Sequence, residues 1–93
     1  MQDPQLNTLR AEIDTLDEAL IQLLAQRFVA TEKVGLLKAT QQLDAVDPAR
    51  EARQAERYAA LAQQHGLSVD LVQRLFRVVI DEVVANHRAL RHR

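Results

Sequence analysis

The sequence predicts an all-α fold with three helices, the first of them very long. Hydrophobic residues make up 47% of the 93 residues, only 3% are aromatic, and the chain has two glycines and two prolines. Such a composition favours helices joined by few turns. A ladder of residues spaced alternately by three and four, interrupted once by an arginine, marks the packing face of a long helix. Its members are Leu6, Leu9, Ile13, Leu16, Leu20, Leu23, Arg27, Ala30, Val34 and Leu37.

The first helix is predicted to start at Asp3-Pro4, a capping carboxylate followed by a proline at the first helical position. Nothing ends it before about Thr40; the interior Gly35 costs only ~1 kcal/mol of helix stability. About 36 residues at 1.5 Å each give a rod of roughly 54 Å, whereas a compact domain of this size has a radius of gyration of only ~13 Å. We therefore expect a second copy of the chain to complete the core.

Two further helices follow a connector of residues 41–46. Asp47-Pro48 repeats the start signal, and this helix is expected to run to about Gln64, with Gly66 just beyond its end. Ser68 is the predicted N-cap of the third helix. The third helix carries an apolar stripe and is expected to continue into the basic tail of residues 88–93. The stripe comprises Val72, Phe76, Val79, Ile80, Val83, His87 and Leu90.

The overall charge and the missing motifs exclude several kinds of function. Lys plus Arg is 12 and Asp plus Glu is 13, so the net charge of −1 gives no general attraction to nucleic acid or to anionic membranes. The chain has no cysteine, and His65, His87 and His92 lack metal-ligand spacing. No Gly-rich phosphate loop, secretory signal or membrane-spanning run of ~20 residues is visible. We expect a single domain over residues 1–93, without metal or cofactor, in the cytoplasm.

Arg27 and Lys38 are the first candidate ligand-binding residues. A guanidinium keeps its proton, so a buried Arg27 needs either a carboxylate partner or an anionic ligand between helices. Lys38 lies eleven residues later, about three turns, so both side chains point the same way from Cα atoms ~16 Å apart. The two cations could converge on a dianion. Alternatively, Arg27 is an ion-paired seam residue and Lys38 a solvated charge near a helix end.

The other candidates also have a plain structural interpretation. Arg10 precedes Arg27 by 17 residues, or ~25 Å, so it could reach only a ligand held by a neighbouring antiparallel copy; otherwise it is a solvated arginine. Arg50-Glu51 opens the second helix, where an N-terminus binds anions, yet both residues could simply be solvated. His87, on the apolar stripe, is either a core histidine or a ligand-binding group.

Six ordered segments resemble the all-helical chorismate mutases across nearly the full chain. They are LRAEID at 9–14, LD at 16–17, LLAQR at 23–27, VGLLK at 34–38, VDPARE at 46–51 and RLF at 74–76. The resemblance implies that the three helices of each chain intertwine with those of a partner to form a homodimer with two active sites shared between protomers. It also implies an isomerase of aromatic amino-acid biosynthesis (the shikimate pathway). This enzyme converts chorismate, a small dicarboxylate, to prephenate by a pericyclic rearrangement without a cofactor.

By the same resemblance, the cations Arg27, Lys38 and Arg50 would bind the substrate carboxylates and ether oxygen. Arg10 would come from the other protomer. The roles of the remaining positions are implied in the same way: Glu51 would hold the substrate hydroxyl, Asp47 would lie at the mouth, and Lys38 and His87 would donate to the ether oxygen. The catalytic set would be Lys38, His87, Arg27 and Glu51.

Two positions depart from the family pattern and leave alternatives open. The family usually has Gln or Glu where this chain has His87, and a serine of some members is replaced by Val83. These changes admit a relative that acts on isochorismate, as in isochorismate pyruvate-lyase, or on amino-deoxychorismate. A non-catalytic helical dimerisation module would explain the ladder but not the set of cations. A nucleic-acid-binding domain would rest on residues 88–93 alone.

Overall fold

The structure, a computed structural model, describes residues 3–91. It contains helices α1 (Pro4–Thr40), α2 (Pro48–Gln64) and α3 (Val69–Arg91), and no strand within the described residues. The predicted three-helix organisation, with a very long first helix of 37 residues, is confirmed. His92 and Arg93 of the predicted basic tail lie outside the described residues.

The chain divides into two compact units, the first ending at Thr31 and the second beginning at Glu32. The first unit contains the N-terminal part of α1. Asp3 caps the helix as predicted, because its carboxylate accepts a hydrogen bond from the backbone N–H of Gln5 at 2.9 Å. The large apolar residues of the ladder in this unit are all exposed, between 44% for Leu6 and 63% for Leu16 and Leu20. This face of α1 is therefore open to solvent.

In the second unit, α2 and α3 form an antiparallel helical hairpin. The rings of Tyr58 and Phe76 stack across it with centroids 4.0 Å apart and planes 14° from parallel. Ala62 of α2 and the stripe residues Val72 and Val79 of α3 are buried. None of the large side chains in residues 3–91 is fully buried, so this core consists mainly of small residues.

Both helices of the hairpin begin with the predicted caps. The Asp47 side chain accepts the backbone N–H of Arg50 at 3.1 Å, and Pro48 follows it in the first turn. Ser68 Oγ accepts the backbone N–H of Leu71 at 3.2 Å. Each cap satisfies one of the N–H groups that a helix start leaves without an internal acceptor.

Helices α1 and α2 end in the same way but with different residues. The residue after α2 that takes the left-handed conformation is Gly66 (φ 69°), as predicted, and the N–H of Leu67 donates to the carbonyl of Ala62. After α1 the corresponding residue is Gln42 (φ 58°), and the N–H of Leu43 donates to the carbonyl of Lys38. A glutamine in this region is strained where a glycine is not.

Gly35 has a packing role that its sequence position did not reveal. It is the one buried residue of α1, and a Cβ placed on it would lie 2.5 Å from Cδ2 and 2.9 Å from Nε2 of His87. The same Cβ would lie 3.0 Å from Cδ1 of Leu90. The absent side chain therefore lets the C-terminal part of α1 approach α3, and His87 fills the space.

Replacing Gln42 with glycine should stabilise the protein by roughly 0.5–1 kcal/mol, because glycine adopts a positive φ without steric cost. Urea unfolding followed by circular dichroism at one fixed chain concentration measures the change. Gln42→Ala is the matched control, since it removes the side chain but keeps a Cβ at the strained position. Equal stability of the glycine and alanine variants would show that the conformation of residue 42 costs nothing.

Replacing Gly35 with alanine should destabilise the protein by about 1–2 kcal/mol, because overpacking against His87 outweighs the better helix propensity of alanine. The same substitution in a His87→Ala background should be neutral or stabilising, because the imidazole is no longer there to clash. A double-mutant cycle from urea unfolding measures the coupling. Equal effects in both backgrounds would contradict direct packing of His87 on Gly35.

Candidate active site

The second unit brings together the C-terminal part of α1, the start of α2 and the C-terminal half of α3. Six of the eight predicted site residues lie in this unit: Lys38, Asp47, Arg50, Glu51, Val83 and His87. Arg10 and Arg27 belong to the first unit. The geometry below therefore concerns the six, and the placement of the two arginines beside them stays a prediction.

Lys38 is half-buried near the end of α1. Its Nζ lies 3.5 Å from the carbonyl oxygen of Ala45, a long hydrogen bond to the connector. Its own carbonyl accepts the N–H of Leu43 at 2.8 Å, which fixes the last turn of the helix. The ammonium group is therefore held by a neutral acceptor, and no carboxylate cancels its charge among the ion pairs found in residues 3–91.

His87 approaches the same part of α1 from the opposite helix. Its side chain is buried, with 6% exposure, and the Cδ2–Nε2 edge of the ring faces Gly35. Gly35 lies one turn before Lys38, and residues three apart share a helix face. The sequence left His87 open as a core residue or a ligand-binding group. Its burial gives it a packing role, and its contact places the Nε2 edge of the ring against Gly35, one turn before Lys38.

The start of α2 presents a cation and a carboxylate. The Asp47 carboxylate caps the helix, so it already has a structural task that the sequence signal predicted. Arg50 is exposed, and its backbone N–H donates the hydrogen bond that the Asp47 carboxylate accepts. Glu51 is half-buried. The helix N-terminus and Arg50 contribute positive potential at this end, and the carboxylates of Asp47 and Glu51 contribute negative potential.

Glu51 lines two clefts between α2 and α3. One, of about 350 Å³, extends along the hairpin past Tyr58, Phe76 and Ile80. The other, of about 380 Å³, lies between Val46 of the connector and the C-terminal half of α3. Volumes of this size are in the range of small-molecule sites.

Arg77 lines both clefts with Glu51 and was not among the predicted site residues. Its guanidinium lies 3.9 Å from the Asp81 carboxylate, and both side chains are 67% exposed. In sequence, an arginine four residues before an aspartate on a helix reads as an ordinary solvated pair. Only the packing of α2 against α3 shows that Arg77 borders the same space as Glu51.

The first unit holds the other two predicted cations. Arg10 is exposed. Arg27 is half-buried, and its Nη1 atom is shielded from solvent. Of the two, Arg27 is thus the one partly withdrawn from water.

Among residues 3–91, no group of three or more His, Asp or Glu side chains is arranged as metal ligands would be. No helix of the described chain combines the length and the apolar character that crossing a membrane requires.

Comparison with known families and proteins identifies relatives. The family model of chorismate mutase type II matches residues 9–88. The T-protein of Haemophilus influenzae is 37% identical over 81 residues, which cover 87% of this chain and 22% of that protein. The bifunctional chorismate mutase/prephenate dehydratase of Escherichia coli K12 is 35% identical over 85 residues, 91% of this chain and 22% of that protein.

A third relative is closer in size. The 4-amino-4-deoxychorismate mutase of Streptomyces venezuelae is 29% identical over 79 residues, 85% of this chain and 77% of that protein. This chain spans only about a fifth of the length of the first two relatives, 22% in each case. The family match, in contrast, covers all three helices, and on that basis the chain belongs to the chorismate mutase type II family.

Proposed function

We propose that this protein is a cofactor-independent isomerase that converts chorismate to prephenate. The observation that carries the proposal is the meeting of α1 and α3 at Gly35, which sets His87 against the turn preceding Lys38 in a member of this family. Both residues supply N–H donors, and Lys38 carries a full positive charge. Relatives named as chorismate mutases at 35% identity support the same reaction.

Substrate binding is assigned to the cations and Glu51. Arg27, Lys38 and Arg50 would bind the two carboxylates of chorismate, for which guanidinium and ammonium groups are suited donors. Glu51, half-buried between α2 and α3, would accept a hydrogen bond from the substrate hydroxyl. Asp47 stays at the mouth as the α2 cap, and Val83 supplies an apolar wall. Such an arrangement holds a flexible dianion in the compact shape that the rearrangement requires.

The chemical step needs no proton transfer and no nucleophile. The ether C–O bond breaks while a new C–C bond forms between the enolpyruvyl side chain and the ring, so atoms and electrons balance within the substrate. Negative charge gathers on the ether oxygen in the transition state. Lys38 and His87, as preorganised donors, would stabilise that oxygen more in the transition state than in the ground state.

The active protein is proposed to be a homodimer with sites shared between protomers. Six large apolar residues of the ladder in the first unit are about half exposed, and burying them would contribute roughly 5–10 kcal/mol before the cost of association. A long apolar face of this kind is typical of an interface. The exposed Arg10 lies in the same stretch of α1, so a partner laid against this face could receive Arg10 in its site.

A second candidate substrate is 4-amino-4-deoxychorismate. The relative named for that substrate matches 85% of this chain and is of similar length. An amino group in place of the hydroxyl would meet the carboxylate of Glu51 with a favourable charge. The two substrates share the dicarboxylate and the ether oxygen, so the same cations would serve both, and the assay below distinguishes them.

Arg27→Ala and Lys38→Ala should each lower kcat/KM for chorismate by at least ~100-fold, because each removes a charged donor from a preorganised site. Loss of chorismate absorbance measures the rate, and the helical circular dichroism should stay unchanged. Lys33→Ala, an exposed lysine on a different face of α1, is the matched control and should keep full activity. The wild-type assay is repeated with 4-amino-4-deoxychorismate and with isochorismate.

Full activity of the Arg27 and Lys38 variants would contradict the assigned site. A wild-type protein without turnover of chorismate, but with turnover of the amino analogue, would replace the first proposed substrate by the second. Turnover of neither substrate, nor of isochorismate, would leave the dimerisation module as the remaining function.

Inactive Arg10→Ala and Arg27→Ala chains, refolded together, should regain activity. If Arg10 acts in its partner's site, a heterodimer holds one doubly substituted site and one intact site. Equal mixing makes half the dimers heterodimers, so activity should recover to at most about a quarter of wild type. The measurement is chorismate turnover after co-refolding, with heterodimers verified by differently tagged chains. Heterodimers without activity would show that Arg10 is not shared, and a folded monomer in sedimentation would refute the dimer itself.

A further inference from the structure

The connector between α1 and α2 is tied to both α1 and α3 through a single residue. Leu43 donates its N–H to the carbonyl of Lys38 at 2.8 Å, and its own carbonyl accepts Nη1 of Arg91 at 2.7 Å. Two residues on, the Ala45 carbonyl accepts Nζ of Lys38. The backbone and the side chain of Lys38 are thus both bonded to a segment that Arg91 holds.

Arg91 lies about one turn after His87 in α3, just as Lys38 lies about one turn after Gly35 in α1. Arg91 follows His87 by four residues and Lys38 follows Gly35 by three, so each pair shares one helix face. The two helices are consequently joined at two levels: Gly35 against His87, and Lys38 to Arg91 through Leu43. The second level lies where Lys38 projects its ammonium group.

We infer that Arg91 is a positioning residue for Lys38, acting through the backbone of Leu43. A charge-assisted hydrogen bond of 2.7 Å orients a carbonyl more strongly than a neutral one. Holding the backbone of Leu43 restrains the last turn of α1 and the neighbouring Ala45 carbonyl, and with them the position of the Lys38 ammonium group. The inference rests on the proposed function of Lys38 as a donor to the ether oxygen.

The arrangement also explains how the strained residue after α1 is held. Gln42 has φ 58° and lies directly before Leu43. The left-handed conformation persists when surrounding contacts determine it. The bonds of Leu43 to Lys38 and to Arg91 supply such contacts on the C-terminal side of Gln42.

Arg91→Met tests the inference, because methionine keeps an extended apolar stem but cannot donate. The expected result is a kcat for chorismate lower by about 3- to 30-fold with a smaller change in KM, since the loss falls on transition-state positioning. Arg91→Lys, which restores a charged donor, should recover part of kcat. Arg53→Ala, an exposed arginine of α2, is the matched control and should leave kcat unchanged.

Hydrogen exchange of the Leu43 amide provides a readout independent of activity. Loss of the Arg91 bond should speed this exchange in Arg91→Met, and Arg91→Lys should slow it again. Unchanged exchange would show that Arg91 does not stabilise the bond from Leu43 to Lys38, which would overturn the inference whatever the rates are. Faster exchange with unchanged kcat would overturn the positioning role. An inactive wild-type protein would instead refute the proposed function of Lys38, and with it the catalytic part of the inference, while the exchange result would still decide whether the tie exists.

Discussion

The close approach of α1 to α3 at Gly35 is the contact on which the second unit depends. Only a residue without a side chain leaves room for the imidazole of His87 and for Leu90 at this crossing. The approach buries His87, brings the end of α1 within reach of Arg91 and sets Lys38 beside the connector. The helix-forming cost of an interior glycine is thus offset by packing that a longer side chain would prevent.

Ion pairs between side chains contribute little to the fold of the described residues. The two ion pairs of the described residues, Arg74–Asp70 and Arg77–Asp81, are exposed and lie within α3, so each contributes little stability. Neither involves Lys38 or Arg50. The Lys38 ammonium group lies 3.5 Å from the carbonyl oxygen of Ala45, a neutral acceptor, and Arg50 is exposed.

The local features of this fold were predictable, and the long-range ones were not. The side chains of Asp3, Asp47 and Ser68 each accept a backbone N–H at a helix start, and Gly66 takes a positive φ after α2 because it has no side chain. The helix boundaries therefore followed from local chemistry. The left-handed conformation of Gln42 could not be predicted, because glutamine has no preference for a positive φ. From the sequence, Gly35 had only a cost in helix stability, because its packing partner His87 comes from another helix far along the chain.

The residues of the candidate site also fall into two groups, those whose positions follow from local sequence and those whose positions depend on long-range packing. Helical spacing could place Lys38 and Arg27 on one side of α1, and cap signals could place Arg50 and Glu51 at the start of α2. Spacing could not show that Arg77 borders the clefts of Glu51, or that Arg91 reaches Leu43, because both depend on how separate helices pack. The proposed role of Arg10 depends on a second chain, which no pattern within one sequence can orient.

The Tyr58–Phe76 stack makes part of this molecule separately observable. Tyr58 is the one tyrosine of a chain without tryptophan, so near-ultraviolet circular dichroism and intrinsic fluorescence come chiefly from the α2–α3 hairpin. Far-ultraviolet circular dichroism reports on all three helices, with the largest share from α1. The two spectral windows therefore view different parts of the chain, and comparing them during unfolding or association separates the hairpin from the long helix without introducing a label.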